Sequence, residues 1–253
     1  VSRGLGDVYK RQVYSFTDSP NIGAIHSFSF HNYVTLFTTP ELIDMIIGSI
    51  ALAIGSAVLA TILGTTGAIG AFYSKKNVNG TMSVLNQIPV VNADVVTGFS
   101  LCILLVVVFG VSKNTYIPLV IGHTVLSAPF VYLAVVPKLK QMDPSLYEAA
   151  LDLGATPGYT LIHIIIPQIA SGIISGFVMA VTLSLDDYFV ATYTKPATFD
   201  TISTYVVNAT KGSQTNIRTA LWALSTIIFL IVVIVEVVMN FAPIKNEAQK
   251  EKH

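Results

Sequence analysis

The sequence predicts an all-α, polytopic helical membrane protein, and its composition and long apolar segments support this fold class. Of the 253 residues, 53% are hydrophobic and 11% are charged, whereas about a quarter of the residues in a soluble domain are charged. Apolar runs of about 20 residues, the length needed to cross about 30 Å of hydrocarbon, recur along the chain. These runs are continuous and lack the alternation of membrane β-strands. The chain is therefore predicted to cross the bilayer as helices.

Five apolar segments have the length of a spanning helix. Their predicted bounds are 46–72, 91–111, 117–136, 169–193 and 220–241. Lysines follow the first, third and fifth segments, and residues 13–45 contain no Lys or Arg. Because basic residues collect on the cytoplasmic side of a membrane, residues 13–45 are predicted to be external and those three helix ends internal.

This orientation divides the chain into four parts. Residues 1–12 are polar, lack the apolar core of a signal peptide, and resemble a translated sequencing adapter; a genuine polar tail is the alternative. Residues 13–45 form the external segment, and 46–242 form the transmembrane domain with a cytoplasmic loop at 137–168. Residues 243–253 are predicted to be a cytoplasmic tail. The expected location is the bacterial inner membrane.

Charge and cysteine content exclude several functions. The 14 basic and 14 acidic residues balance, so no basic surface for nucleic acid is indicated. Cys102 is the only cysteine, which excludes an intrachain disulfide and a thiolate metal site. The histidines show no metal-ligand spacing.

The cytoplasmic loop is predicted to form two short helices. Asp143 or Ser145 can cap the first helix, and the alanines after Glu148 favour helix. Gly154 supplies a break or left-handed turn. Thr156 then has the form of an N-cap with Pro157 at the first helical position. From composition alone, this loop could equally be an amphipathic connector on the membrane surface.

The spacing within this loop resembles a known signature. Glu148-Ala149-Ala150 is followed by three residues, Gly154, nine residues and then Ile164-Ile165-Ile166-Pro167. This pattern is similar to the EAA motif of binding-protein-dependent ABC importer permeases, with Ile166 where leucine is usual. The resemblance implies a type I-like ABC importer transmembrane domain whose loop docks on an ATPase. The implied coupling residues are Glu148, Ala149, Ala150, Gly154, Pro157, Ile164 and Pro167.

The same resemblance implies a transport subunit without its own enzyme activity or cofactor. The chain contains no phosphate-binding G-x-x-x-x-G-K-[ST] loop, so ATP and magnesium would be bound by a partner ATPase. The implied partners are an ATPase dimer, a second permease subunit, an extracytoplasmic substrate-binding protein and the lipid bilayer.

Resemblance over residues 13–242 looks closest to the C-type permeases of spermidine/putrescine importers. The strings that carry it are Val13-Tyr14-Ser15-Phe16 and Leu183-Ser184-Leu185-Asp186-Asp187. In that family a further helix precedes the first string, so a sixth, N-terminal span is expected to be missing here. The same architecture could instead carry ferric iron, thiamine or an amino-acid derivative.

Acidic residues in the spans are candidates for the substrate path. An acidic side chain near mid-bilayer costs about 2.5–3.5 kcal/mol on insertion scales, so it normally faces a partner or a water-filled path. Asp186 and Asp187, with Tyr188 beside them, suit an ammonium group, although capping of neighbouring helices is the alternative. Asp94 could line the path or cap its helix. His123 is interpreted as an interhelical histidine in preference to a pore residue.

Two other functional classes fit the sequence less well. An ion-coupled secondary transporter would show inverted repeats and broken helices in both halves, and no convincing repeat is found. An intramembrane enzyme would need a catalytic constellation, and no Ser/His, Asp/Asp or H-E-x-x-H pattern occurs at a usable spacing.

Overall fold

The computed structural model describes residues 12–13, 15–17, 28–143, 145–211, 223–227, 229–230 and 233. These residues contain helices and no β-strand beyond an isolated bridge between Thr17 and Phe28. The chain divides into two compact units, Val1–Gly48 with Thr204–His253, and Ser49–Ser203. The predicted tail, most of the predicted leader and most of the fifth predicted span lie outside the described residues.

The helices follow one another with short connections. In the described residues they are α1 (His31–Thr38), α2 (Pro40–Tyr73), α3 (Lys76–Val91), α4 (Asp94–Val108), α5 (Ile117–Gln141), α6 (Ser145–Asp152), α7 (Pro157–Gln168), α8 (Ala170–Asp186), α9 (Phe189–Thr194) and α10 (Ile202–Lys211). Within α4 and α7, the stretches Leu104–Val108 and Leu161–Ile165 are π-helical. Residues 223–227, 229–230 and 233, inside the fifth predicted span, are also helical.

Two of the predicted spans are single helices. Both α2 and α5 are long and apolar enough to cross a membrane. Helix α5 continues beyond its predicted end, Val136, to Gln141. Neither Pro129 nor Pro137, which both lie inside the helix, ends it. Prolines are tolerated inside membrane helices where neighbouring groups satisfy the freed carbonyls.

The structure places a sharp bend at the start of the second and of the fourth predicted span, and it divides the fourth span into two helices. The second was expected to begin at Val91, but Val91 ends α3, and the chain turns by 106° before α4. The fourth was expected to run unbroken to Tyr193, but α8 ends at Asp186 and α9 follows as a separate helix. At its other end, α8 meets α7 at an angle of 72°. Length and apolar composition do not reveal such breaks.

Small residues allow the helices of the Ser49–Ser203 unit to pack closely. A Cβ added at Gly176 of α8 would lie 3.0 Å from the Val131 Cα of α5. One added at Gly64 of α2 would lie 2.8 Å from the Ala128 carbonyl oxygen. The buried residues of α8 are small and recur every four positions: Gly172, Gly176, Ala180 and Ser184. The core around these contacts includes Val131, Tyr132, Val135, Leu139, Ile165 and Ile169.

The other unit is held in its described part by a buried amide. Asn32 donates hydrogen bonds from Nδ2 to the carbonyl oxygens of Ser15, at 3.1 Å, and Thr17, at 2.9 Å. The Phe16 and Phe28 rings stack beside it, 5.6 Å apart. These contacts tie the chain before α1 to the first turn of that helix.

Candidate functional site

Helix α6 of the predicted coupling loop is capped as the sequence indicates. One carboxylate oxygen of Asp143, Oδ1, accepts the Ser145 amide hydrogen at 2.9 Å and the Ser145 hydroxyl hydrogen at 2.7 Å. These bonds, the hydroxyl one first, lower the pKa of the Asp143 carboxyl below its ordinary value. Hydrogen bonds that stabilise the charged form have this effect, so the cap stays ionised at neutral pH.

The turn after α6 explains the glycine of the motif. Gly154 has a φ of +87°, in the left-handed region that side chains with a Cβ rarely adopt. The Ala155 amide donates to the Ala150 carbonyl at 3.0 Å, and the Gly154 amide donates to the Leu151 carbonyl at 2.9 Å. This pair of bonds is the Schellman motif, which satisfies carbonyls that a helix end otherwise leaves free. Thr156 then caps α7 by accepting the Tyr159 amide hydrogen at 3.4 Å.

The motif residues divide between an exposed surface and an anchor. Glu148, Ala149, Gly154, Pro157 and Pro167 are exposed. Ala150 is buried and Ile164 is half-buried. Ile164 packs against the core of the Ser49–Ser203 unit, as do Leu146, Tyr147 and Leu161. The loop therefore has one face fixed on the membrane helices and one face free for a partner.

Three further side chains of this loop were not singled out from the sequence. Leu153, immediately before the glycine, is 89% exposed. The rings of Tyr159 and His163 stack with centroids 4.1 Å apart on exposed positions of α7. Leu153 could have been identified from the sequence, because it is an apolar residue between the two predicted helices of the loop. The ring pair could be expected from its four-residue spacing on a helix.

The break between α8 and α9 is organised by Asp187. Its Oδ1 accepts the Val190 amide hydrogen at 3.2 Å, and its Oδ2 accepts the Ala191 amide hydrogen at 2.7 Å. Aspartate competes with helix continuation by offering its own side chain to nearby amides. The contacts of Asp187 are therefore those of a residue that caps a neighbouring helix. Its side chain is buried, with 7% of the residue exposed.

The remaining path candidates lie around this break. Asp186 ends α8 with an exposed side chain, and Asp94 is exposed in the first turn of α4. Both carboxylates act electrostatically on Asp187. Helix α4 is held against α9 at Gly98, where an added Cβ would lie 2.8 Å from the Val190 Cα. Residues 92 positions apart in sequence are thereby brought into one acidic group, Asp94, Asp186 and Asp187.

Tyr188 lies beside this acidic group and is half-buried. Its ring meets the Phe189 ring edge to face, with centroids 5.2 Å apart. An aromatic face next to carboxylates attracts an ammonium group through the ring quadrupole. Ahead of α4, the Asn92 amide donates to the Thr97 hydroxyl at 3.2 Å, which ties the bend to the first turns of α4.

His123 occupies the interhelical position expected for it, fully buried between α5 and α8. Its Nδ1 lies 2.7 Å from the Ser184 Oγ. Its Nε2 lies 3.6 Å from the Asp187 Oδ2. Sequence spacing does not bring these residues together, because His123 and Ser184 are 61 positions apart on different helices.

Comparison with known proteins places these features in a family context. Residues 64–242 match the family described as binding-protein-dependent transport system inner membrane component. The chain is 30% identical over 223 residues to the spermidine/putrescine transport system permease protein PotC of Haemophilus influenzae, covering 87% of this chain and 83% of that protein. It is 31% identical over 187 residues to the putrescine transport system permease protein PotI of Escherichia coli K12, covering 72% and 66% respectively.

Solved structures share the fold. A bacterial ABC transporter involved in the import of the acidic polysaccharide alginate superposes with a TM-score of 0.68 at 18% identity, covering 93% of this chain and 89% of that chain. An amino acid ABC transporter superposes with a TM-score of 0.57 at 17% identity, covering 88% and 100% respectively. At these identities the likeness concerns the fold alone, and it confirms the predicted all-α membrane fold class.

Proposed function

Because the chain belongs to the family of binding-protein-dependent transport system inner membrane components, we propose that it forms part of the translocation path of a polyamine importer. As a permease subunit of an ABC importer it is a transport protein and not itself an enzyme. Its proposed substrates are spermidine and putrescine, which the names of its relatives specify for those proteins.

The observation that carries this proposal is the acidic group at the start of α4 and the end of α8. Exposed carboxylates at Asp94 and Asp186 are costly against lipid, so they belong on a water-filled path or a protein surface. Tyr188 adds an aromatic face next to them. Polyamines are flexible cations, and several weak carboxylate and ring contacts suit a solute that must bind and then leave.

The proposed coupling site is the exposed face of the loop around α6. Glu148, Ala149 and Gly154 would contact an ATPase dimer on the cytoplasmic side, and Ile164 would transmit its movement to the core. A rigid-body displacement of the loop would tilt the helices on which it is anchored. A second permease subunit and an external substrate-binding protein complete the proposed importer, and the C-terminal tail is proposed to lie in the cytoplasm.

An uptake assay on the assembled importer in vesicles tests the substrate assignment. Asp186→Asn is expected to lower putrescine and spermidine uptake about tenfold, because a bond to a charged group contributes about 1.5–3 kcal/mol. Asp44→Asn is the control, since Asp44 is another exposed carboxylate that lies outside the acidic group. Polyamine uptake that is absent in the parent protein, or unaffected by Asp186→Asn, would reject the assignment.

A further inference from the structure

A row of buried polar side chains leads from α2 to the break between α8 and α9. Ser56 Oγ lies 3.3 Å from Ser184 Oγ, and Ser184 Oγ lies 2.7 Å from His123 Nδ1. The row ends at the Asp187 carboxylate, which lies 3.6 Å from His123 Nε2. Ser56 and His123 are 0% exposed and Ser184 is 4% exposed, so the row is shielded from solvent.

The Asp187 carboxylate determines which histidine nitrogen carries the hydrogen. A neutral imidazole has one donor and one acceptor nitrogen. If Nδ1 carried the hydrogen, the Nε2 lone pair would face a carboxylate oxygen, and the two would repel each other. With the hydrogen on Nε2, Nδ1 accepts the Ser184 hydroxyl hydrogen, while the Ser56 hydroxyl also has the Ala53 carbonyl oxygen, 3.3 Å away, as an acceptor. We therefore infer the Nε2–H tautomer.

This tautomer leaves a buried donor directed at the cap of α9. The 3.6 Å separation is longer than a hydrogen bond of about 2.9 Å, and His123 Nε2 has no hydrogen-bond partner. Asp187 Oδ2 is held instead by the Ala191 amide at 2.7 Å. The N–H dipole of His123 nevertheless attracts the same oxygen, and burial strengthens this attraction.

We propose that His123 is the positioning residue for Asp187, holding its carboxylate over the first turn of α9 through Nε2–H. Asp187 in turn fixes the break between α8 and α9. The inference deepens the proposed function, on which it rests, because the path residues Asp186 and Tyr188 flank this break. The bond of His123 to Ser184 serves to orient the imidazole ring.

Two substitutions separate this role from ordinary packing. In His123→Gln the side-chain amide reaches the Nε2 position, so a donor toward Asp187 is kept and the partner of Ser184 is lost. In His123→Asn the amide reaches only the Nδ1 position, so the partner of Ser184 is kept and the donor is lost. Positioning through Asp187 requires His123→Gln to preserve the break and His123→Asn to disturb it, whereas a role through Ser184 requires the reverse.

The measurement is the rate at which a thiol reagent modifies a Tyr188→Cys reporter in the assembled importer. Cys102→Ser removes the only native cysteine. We expect His123→Asn to raise the modification rate several-fold, because a buried donor that attracts the carboxylate is lost, and His123→Gln to stay within about twofold of the parent. In an Asp187→Asn background the two variants are expected to react equally.

Ser127→Ala is the matched control. Ser127 lies one turn from His123 on α5, and its buried hydroxyl also has no hydrogen-bond partner, so this change is expected to leave the rate unaltered. If the His123→Asn importer does not assemble, His123→Gln and Asp187→Asn carry the test: the first must keep the parental rate and the second must raise it. Equal rates for all variants, or a faster rate for His123→Gln, would overturn the proposal.

The reporter also separates this inference from the substrate assignment. If the parent protein takes up no polyamine but the variants keep the expected order of rates, the polyamine proposal fails and the role of His123 is supported. If polyamine uptake depends on Asp186 but the order of rates is absent, the role of His123 fails and the substrate assignment remains supported.

Discussion

Gly154 and Asp187 act at opposite ends of helices: Gly154 follows the C-terminus of α6, and Asp187 precedes the N-terminus of α9. Gly154 ends α6 through its backbone, because its φ of +87° positions two amides to satisfy the last carbonyls. Asp187 starts α9 through its side chain, because its carboxylate accepts two amide hydrogens. Both residues are therefore specified by the hydrogen-bonding needs of a helix end and not by volume.

The first prediction concerns Gly154. No atom lies within 4 Å of a Cβ added there, so substitution would cause backbone strain without a collision. Gly154→Ala is expected to cost about 1–2 kcal/mol in the stability of the turn, and Gly154→Asn less, since asparagine tolerates this conformation better. Transport activity and the Tm of the purified importer should be highest with Gly154, lower in Gly154→Asn and lowest in Gly154→Ala.

Gly158→Ala is the control for this series. Gly158 also has no atom within 4 Å of an added Cβ, but its φ lies outside the left-handed region. Its replacement should leave Tm and transport close to the parent values. A Gly154→Ala protein as stable and active as Gly158→Ala would show that the turn does not need its left-handed residue.

At the scale of elements, α5 is the helix against which the other helices of the Ser49–Ser203 unit pack. Helix α8 packs along it at Gly176, α2 packs on it at Gly64, and α9 approaches it at Gly122, where an added Cβ would lie 2.8 Å from Val190 Cγ1. Small residues permit such close approach in membranes, where packing replaces the hydrophobic effect as the source of helix association.

The second prediction therefore concerns Gly64. A Cβ at this position would lie 2.7 Å from Val131 Cβ and 2.8 Å from the Ala128 carbonyl oxygen. Gly64→Ala is expected to destabilise the helix pair by about 1–3 kcal/mol, as overpacking does, and to lower the Tm by several degrees. Gly70→Ala, on the same helix with open space around its Cβ, should not lower the Tm.

Sequence reasoning succeeded where the determining contacts are local. The Asp143 cap, the Gly154 turn and the Thr156 cap each depend on residues within five positions, and all three are present. Sequence reasoning did not predict the bends after α3 and α8. A break within or beside an apolar segment changes neither the length nor the hydropathy of that segment. The contact of His123 with Ser184 joins residues 61 positions apart, and such pairs are set by helix packing alone.

On the scale of the Ser49–Ser203 unit, a few side chains join the exposed loop of α6 and α7 to the core. Tyr147 of α6 meets Tyr73 at the end of α2, with ring centroids 5.0 Å apart, while Ile164 and Ile165 of α7 insert into the core. The loop therefore contacts α2 and the core through separate residues, as the proposed coupling role requires.

The third prediction concerns the proposed coupling to the ATPase, measured in the assembled importer. Glu148→Lys reverses an exposed charge in the first turn of α6, where the helix dipole favours an acidic residue. If Glu148 contacts the proposed ATPase, uptake is expected to fall at least about tenfold, because charge mismatch at an interface costs several kcal/mol, while solute binding to the external binding protein is unchanged. Glu148→Gln should give an intermediate loss, and full uptake by Glu148→Lys would reject the coupling role.

The two bends also interrupt the helical backbone. The backbone is extended at Asn92 and Ala93 and again at Asp187, so the ladder of helical hydrogen bonds is broken among the peptide groups at each bend. Such groups are stable at membrane depth only inside protein or beside water. Both bends border the α4–α9 contact at Gly98 and Val190. Main-chain dipoles at the two bends would therefore be available to a solute on the proposed translocation path.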